Sequence, residues 1–131
     1  MDKFKSKLIF NKYIVKNVLF EYNENFKERP VEIEFKIDKN IRYDKNKMTV
    51  DLNVEIFEKE EKYPFYMKVS IRGFFTIENN EEEINFEPNA IAILYPYVRA
   101  IVSTYTANAN ITPLMLPTIN VNKLIKDQEE N

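Results

Sequence analysis

The feature that most constrains this chain is a long uncharged run, Pro88–Asn122, in which Arg99 is the only charged side chain. Because 31% of all residues are charged, so long a run must be withdrawn from water. Its apolar core, Ala90–Val102, is shorter than the ~20 residues of a membrane-spanning helix, and it contains Pro96 and Arg99. We therefore predict burial in protein, within the subunit or between subunits, and no membrane insertion.

Length and composition restrict the class of protein. The chain has 131 residues, which is a single-domain length, and we predict one domain over residues 1–131. A net charge of −2 argues against a nucleic-acid-binding surface or a polybasic membrane anchor. The first residues, MDKFKSKLIFNKYIVKN, contain no apolar core of the signal-peptide type, which predicts a cytoplasmic location.

Common active-site designs are absent from the residue inventory. With no Cys and no His, the chain cannot form disulfides, Cys/His zinc sites, thiol nucleophiles or imidazole bases. Gly73 is the only glycine, so no phosphate-binding glycine loop can form, and Gly73 is expected to mark a bulge or a close backbone contact. We predict no catalytic residue, no metal and no cofactor. An enzyme or small-ligand carrier that uses an apolar pocket is the least favoured alternative.

The first two-thirds of the chain has the period-two pattern of half-buried β-strands. Three segments alternate cleanly: Val31–Asp38, Met48–Phe57 and Phe65–Ile77. Their polar connections, DKNIRYDKNK and EKEEKYP, are short, which predicts antiparallel pairing of successive strands. Leu8–Tyr22 has apolar residues at odd and even positions, so we predict a strand covered on both faces or bulged near Asn11–Asn17.

A long helix is predicted from Pro88 to about Thr106, after a charged turn at Glu78–Glu83. Pro96 inside it removes a hydrogen bond and predicts a kink. Apolar side chains surround most of the helix, so one sheet face cannot cover them all, and a second subunit is expected to cover the rest. The predicted oligomer-interface residues are Tyr95, Tyr97, Val98, Ile101, Val102 and Tyr105.

Beyond this helix the chain is expected to run as an extended loop and then form a short helix at Val121–Gln128. Prolines at 113 and 117 prevent a continuous helix and keep the loop extended. The lone cation Arg99 is expected to make a structural salt bridge or a contact with backbone carbonyls, in preference to binding a carboxylate or phosphate ligand.

The C-terminal third resembles the SecB family of bacterial protein-export chaperones. PNAIAILYPYVRAIVSTYT is similar to the family's signature helix, and TPLMLPTINVNKLI is similar to its proline-containing loop. The matching positions are Pro88, Asn89, Pro96, Tyr97 and Arg99, and we expect structural roles for Pro88, Asn89, Pro96 and Arg99. YIVKNVLFE and VSIRGFFTI extend the resemblance over nearly the whole chain.

The resemblance implies an α+β fold: a four-stranded antiparallel sheet, a long helix, an extended crossover loop and a short C-terminal helix. It also implies a homotetramer, built as a dimer of dimers through the long helices. The implied function is that of an ATP-independent holdase, which keeps unfolded preproteins in apolar grooves and passes them to the motor protein SecA. The residues expected to bind polypeptide are Leu114, Met115, Leu116, Ile119, Val121 and Leu124.

Two departures separate this chain from the best-known members of the family. It ends at KDQEEN and lacks the Cys and His of their zinc-binding tail. Glu21 matches one position of their SecA-binding acidic patch, but Asn17 and Lys68 stand at others. The alternative function is therefore that of a dedicated interaction protein for one partner, such as an antitoxin of a toxin–antitoxin system, without transfer to SecA.

Overall fold

The computed structural model describes residues 7–79 and 83–129, which form one four-stranded sheet and two helices. The strands are β1 (Leu8–Tyr22), β2 (Phe35–Asp44), β3 (Lys47–Ile56) and β4 (Phe65–Ile77), and the helices are α1 (Glu87–Asn108) and α2 (Val121–Glu129). All strand pairs are antiparallel, in the order β1-β4-β3-β2. The predicted α+β architecture is therefore confirmed.

The core lies between one face of the sheet and α1. Alternate residues of the central strands are fully or almost fully buried because successive side chains point to opposite faces. On that face they are Met48, Val50, Leu52, Val54, Ile56, Met67, Val69, Ile71 and Phe75. Helix α1 covers them with Ala90, Ile91, Leu94, Val98 and Val102.

Gly73 allows α1 to approach the sheet closely. A Cβ atom at this position would lie 2.6 Å and 2.8 Å from the two Cδ atoms of Leu94. A larger residue would therefore overlap the helix side chain. Of the two roles expected for Gly73, the close contact is the one observed.

Strand β1 follows the prediction from its mixed apolar pattern. Its register against β4 shifts between Phe10 and Lys12 and again between Val15 and Asn17. Each shift inserts one extra residue and changes the face on which the following side chains lie. For this reason, apolar residues occur at both odd and even positions of this strand.

The predicted position of β2 is wrong by several residues. The strand begins at Phe35 instead of Val31, and it continues to Asp44 through the segment that we had expected to be a connection. Lys39 interrupts the alternation of apolar and polar residues along β2, because this charged residue occupies a core-facing position opposite Leu52. Its ammonium group is nevertheless paired, at 2.9 Å, with Glu87 at the start of α1.

The helices occupy nearly the predicted segments. Pro88 lies in the first turn of α1, as expected, and Asn89 beside it is exposed. Pro96 lies within α1 on an exposed side, where water can satisfy the carbonyl that loses its partner. Neither described helix combines the length and the hydropathy required to cross a membrane. The predicted turn at Glu78–Glu83 has its centre at residues 80–82, outside the described residues.

Candidate functional site

An open groove of about 690 Å³ lies between the β1–β2 connection (residues 23–34) and the start of the crossover loop (residues 109–120). Its apolar walls come from two segments that are far apart in the sequence. The principal apolar side chains are Phe26, Val31, Ile33, Ile111, Pro113 and Leu114. Glu28 and Arg29 add charge at one side. We call this feature the crossover groove.

The crossover loop is fixed to α1 by side chains that donate hydrogen bonds to its backbone. The Tyr95 hydroxyl donates to the carbonyl of Pro117 at 2.6 Å, and Arg99 Nε donates to the carbonyl of Leu116 at 3.0 Å. Arg99 therefore makes the carbonyl contact that was one of its two expected structural roles. Burial raises the pKa of Tyr95, which keeps its hydroxyl protonated as a donor.

Two further α1 side chains extend this anchoring toward the beginning of the loop. Ser103 Oγ donates to the carbonyl of Leu114 at 3.1 Å, and the amide of Leu114 donates to Thr106 Oγ1 at 2.8 Å. Tyr95, Arg99, Ser103 and Thr106 lie along one side of the helix, three or four residues apart. We call these four residues the anchor stripe.

The loop residues predicted to bind polypeptide lie in different environments. Leu114 is half-buried and lines the crossover groove, whereas Met115, the next residue, is 70% exposed and is not among the groove-lining residues. Leu116 is only 1% exposed and belongs to the core, so its side chain is not accessible to a client in this structure. The reason is the extended backbone, which points successive side chains in opposite directions when one side lies against α1.

The other three predicted binding residues lie further along the chain. Ile119, Val121 and Leu124 are half-buried, and none of them lines the crossover groove. Ile119 and Val121 pack against the core, as does the buried α2 residue Ile125. Their role in binding polypeptide therefore stays a prediction.

A second apolar surface lies on the outer side of α1, where the helix meets β1. It surrounds a shallow cavity of about 320 Å³ lined by Tyr13, Tyr97, Ala100, Ile101 and Tyr105, together with Thr104 and Asn108. The rings of Tyr13 and Tyr97 lie 4.3 Å apart between centroids, and Tyr97 and Tyr105 remain 36% and 41% exposed. We call this feature the α1–β1 surface.

Only half of the predicted interface residues lie on this surface. Tyr97, Ile101 and Tyr105 do, and their contact with another subunit stays a prediction. Tyr95, Val98 and Val102 are 4%, 0% and 0% exposed within the single chain. These three side chains face the core, where the sheet and the crossover loop already cover them.

The groove wall formed by the β1–β2 connection is not predicted from the sequence pattern. Val31 and Ile33 alternate with glutamates, which predicts the start of a strand. In the structure they precede β2, and Ile33 is 39% exposed in the groove. Alternation shows that one side of a segment avoids water, but not whether that side packs on a sheet or lines an open groove.

Comparison with protein families agrees with this arrangement of elements. The family model described as "Preprotein translocase subunit SecB" matches residues 3–131. The chain belongs to the SecB family. A relative from Methanocaldococcus jannaschii, the uncharacterized protein MJ0357, is 42% identical over 96% of this chain and 87% of its own. The protein-export protein SecB of Rickettsia akari is 31% identical over 74% of this chain and 67% of its own.

A solved structure shows the same fold as this SecB-family protein. It is the Mycobacterium tuberculosis Rv1957 SecB-like chaperone in complex with a ChAD peptide from the Rv1956 HigA1 antitoxin. The two structures align with a TM-score of 0.67 and 14% identity, over 86% of this chain and 90% of the other. Family membership and fold together support a chaperone-type role.

Proposed function

We propose that this SecB-family protein is a cytoplasmic, ATP-independent holdase that binds non-native polypeptides in the crossover groove. The observation that carries the proposal is the groove itself, an open groove of about 690 Å³ whose two walls carry apolar side chains and whose lining also includes Glu28 and Arg29. Met115, which follows the groove-lining Leu114, is 70% exposed. Exposed apolar grooves of this kind bind extended chains and need no catalytic group. The flexible thioether of Met115 suits varied client side chains.

The end of the groove wall at Leu114 is held in place before a client arrives. The anchor stripe fixes the backbone of residues 114–117 through four hydrogen bonds. A loop that is already ordered loses less conformational entropy on binding than a free one does. The anchor stripe therefore supports a preformed site for extended polypeptides.

The edge of β2 adds a means of binding that does not depend on client sequence. The Glu34 carbonyl accepts a hydrogen bond from the amide of Phe57. Because residues of an antiparallel strand alternate in bonding to their neighbour, the even-numbered residues of β2 bond to β3. The backbone N–H and C=O groups of the odd-numbered residues therefore point away from β3. Gln128 of α2 confirms this direction by donating to the Ile37 carbonyl from outside, at 2.8 Å. Beyond it, the backbone groups of Ile41 and Tyr43 point outward from the sheet edge and are available for strand addition.

Several weak contacts must act together in such a holdase. Each fully buried client side chain of leucine size contributes about 1.5–3 kcal/mol, whereas ordering the client costs about 2–5 kcal/mol. We propose that the α1–β1 surface joins subunits into a homotetramer, which presents several copies of the groove to one long client. The exposed rings of Tyr97 and Tyr105 support this assembly, and multivalency would raise the affinity for clients.

Export of preproteins through SecA and service to one dedicated partner are both compatible with this site. A dedicated role is favoured by the solved SecB-like chaperone of the same fold, which was found with an antitoxin peptide. Asn17 on β1 and Lys68 on β4 give less support to SecA binding, because they replace acidic positions of the family pattern.

The breadth of clients tests the proposal. The purified protein should suppress aggregation of several unrelated, chemically unfolded proteins at stoichiometric amounts. Ile33→Asp should weaken this protection because it introduces a charge among the groove-lining side chains. Met115→Asp should weaken it because it charges the exposed apolar side chain that follows Leu114. Asn122→Asp, which adds the same charge at an exposed α2 position, is the matched control.

Two results would contradict parts of the proposal. If the protein protected none of the unfolded proteins from aggregation, a general holdase would be excluded. A dedicated interaction protein for one partner would then be favoured. Protection that persists unchanged in Met115→Asp and Ile33→Asp would show that clients bind elsewhere.

A further inference from the structure

The face of the sheet opposite α1 is not covered by either described helix. It carries the residues that alternate with the core, including Thr49 and Asp51 of β3 and Arg72 and Phe74 of β4. Ile14 of β1 lies on the same face, opposite Arg72, and is 42% exposed. This face therefore combines charge with exposed apolar area.

The strand register gathers cations on one half of this face. Lys12, Phe74, Thr49 and Arg42 form one row across all four strands, which spans about 14 Å. Lys47 lies on the same side of β3, two residues from Thr49. We call the four cations Lys12, Arg42, Lys47 and Arg72 the basic face.

Only part of this positive charge is neutralised within the chain. Asp51 accepts hydrogen bonds from both arginines, from Arg72 Nε at 2.6 Å and from an Arg42 terminal nitrogen at 3.0 Å. In the three rows that cross β4 at Arg72, Phe74 and Thr76, the other carboxylate is Asp44, opposite Lys47. Four cations against two carboxylates in these rows leave a local positive excess on a chain whose net charge is −2.

The cations also surround an aromatic side chain. The ammonium nitrogen of Lys12 lies 5.2 Å from the centre of the Phe74 ring, and that of Lys47 donates to Thr76 at 2.9 Å. The Arg42 side chain is 45% exposed and makes one ion pair, so it has N–H donors directed to solvent. The arrangement offers donors for carboxylates around an apolar centre.

We propose that the basic face docks an acidic segment of a partner protein, whose carboxylates pair with Lys12, Arg42 and Lys47 while an apolar side chain packs on Phe74 and Ile14. Charge complementarity selects this partner. A nucleic acid fits less well, because the excess charge is small and the whole chain would repel a long polyanion. The basic face and the crossover groove lie on different sides of the sheet, so a partner and a client bind at the same time.

The test uses the full chain and a fluorescent synthetic peptide in which glutamate alternates with leucine and serine. Fluorescence anisotropy at low ionic strength should show binding, and the same peptide with lysine in place of glutamate should not bind. Lys12→Glu combined with Lys47→Glu should weaken binding by about tenfold or more, because repulsion replaces attraction at two positions. This double variant leaves both ion pairs of Asp51 intact.

A matched control carries the same change of charge on α2, Lys123→Glu combined with Lys126→Glu, and should bind the peptide as the native chain does. Met115→Asp should also bind it normally, which separates this inference from the proposed holdase function. Equal weakening in the α2 control would attribute binding to net charge alone and overturn the proposal. Unchanged binding in the Lys12/Lys47 variant, or equally tight binding of single-stranded RNA, would overturn it as well.

Discussion

At the scale of single residues, Asp51 shows how the sheet keeps a charge on a packed strand. Its side chain is only 12% exposed and lies between Arg42 and Arg72. Hydrogen bonds from Arg72 and then Arg42, together with their positive charges, outweigh burial and lower the pKa of Asp51 from 3.8 to about 2. The ionised form is therefore favoured by folding.

The first prediction concerns the pH dependence of this interaction. Because the pKa is lower in the folded chain, Asp51 stabilises the fold above its unfolded pKa of 3.8, and this contribution is lost as the pH falls toward about 2. Asp51→Asn should lower the free energy of unfolding by about 2 kcal/mol at neutral pH. Urea unfolding at a series of pH values should show this difference shrinking in acid.

Asp44→Asn is the matched control, since Asp44 is an exposed aspartate on the same sheet face. It should change the free energy of unfolding much less than Asp51→Asn does. A difference between native and Asp51→Asn chains that stays constant from neutral pH to acid would contradict the assignment of the lowered pKa to folding.

At the scale of elements, the anchor stripe explains why a segment without regular secondary structure has a defined position. An extended loop that lies on a helix needs partners for its backbone groups, and a helix supplies them only at every third or fourth residue. Arg99 is suited to this task because its long side chain reaches the Leu116 carbonyl while staying half-buried.

The second prediction removes this contact. Arg99→Met keeps much of the side-chain volume but leaves the Leu116 carbonyl without its donor. Hydrogen exchange in peptides that cover residues 114–117 should become faster. Client affinity should fall by about tenfold, which corresponds to about 1.4 kcal/mol, because the groove wall must be ordered during binding.

Lys123→Met on α2 is the matched control, because it removes an exposed cation that lies outside the anchor stripe. It should leave both the exchange rates of residues 114–117 and the client affinity near their native values. Faster exchange in Arg99→Met with unchanged client affinity would show that ordering of the loop does not matter for binding.

The elements also differ in how far the sequence could predict them. β4 was predicted with the observed bounds because its alternation is continuous from Phe65 to Ile77. β2 was misplaced because Lys39 interrupts the alternation, and its partner Glu87 lies 48 residues away. When a charged side chain is neutralised by a distant residue, its core-facing position cannot be predicted from the neighbouring residues in the sequence.

At the scale of the whole molecule, the α1–β1 surface determines the third prediction. Tyr97→Asp combined with Ile101→Asp should convert the proposed oligomer into smaller species, because two charges would have to be buried at the subunit contact. Light scattering should detect the change in mass. Client protection should weaken as the copies of the crossover groove separate, since avidity is lost.

The same Asn122→Asp variant that serves for the groove is the control here, because it adds a charge away from this surface. It should keep the native mass. A native chain that is a stable monomer in solution would contradict assembly through the α1–β1 surface, without excluding binding of clients to a single crossover groove.

The sequence by itself determined which segments avoid water and in what local form. It placed β1, β3, β4, the start of α1 near Pro88 and the short α2, because hydrophobic periodicity and proline positions act over a few residues. For β1 it left a bulge and coverage on both faces as alternatives. It also indicated that α1 has more apolar surface than one sheet face can cover.

Only the tertiary structure decided which partner covers each apolar side chain. It placed β1 beside β4, turned Tyr95, Val98 and Val102 toward the core, and buried Leu116 while leaving Met115 exposed. It also brought residues 31–33 and 111–114 together as the walls of one groove. The physical reason is that hydrophobicity has no direction along the chain, so a local pattern shows that a side chain avoids water but not which distant residues replace the water.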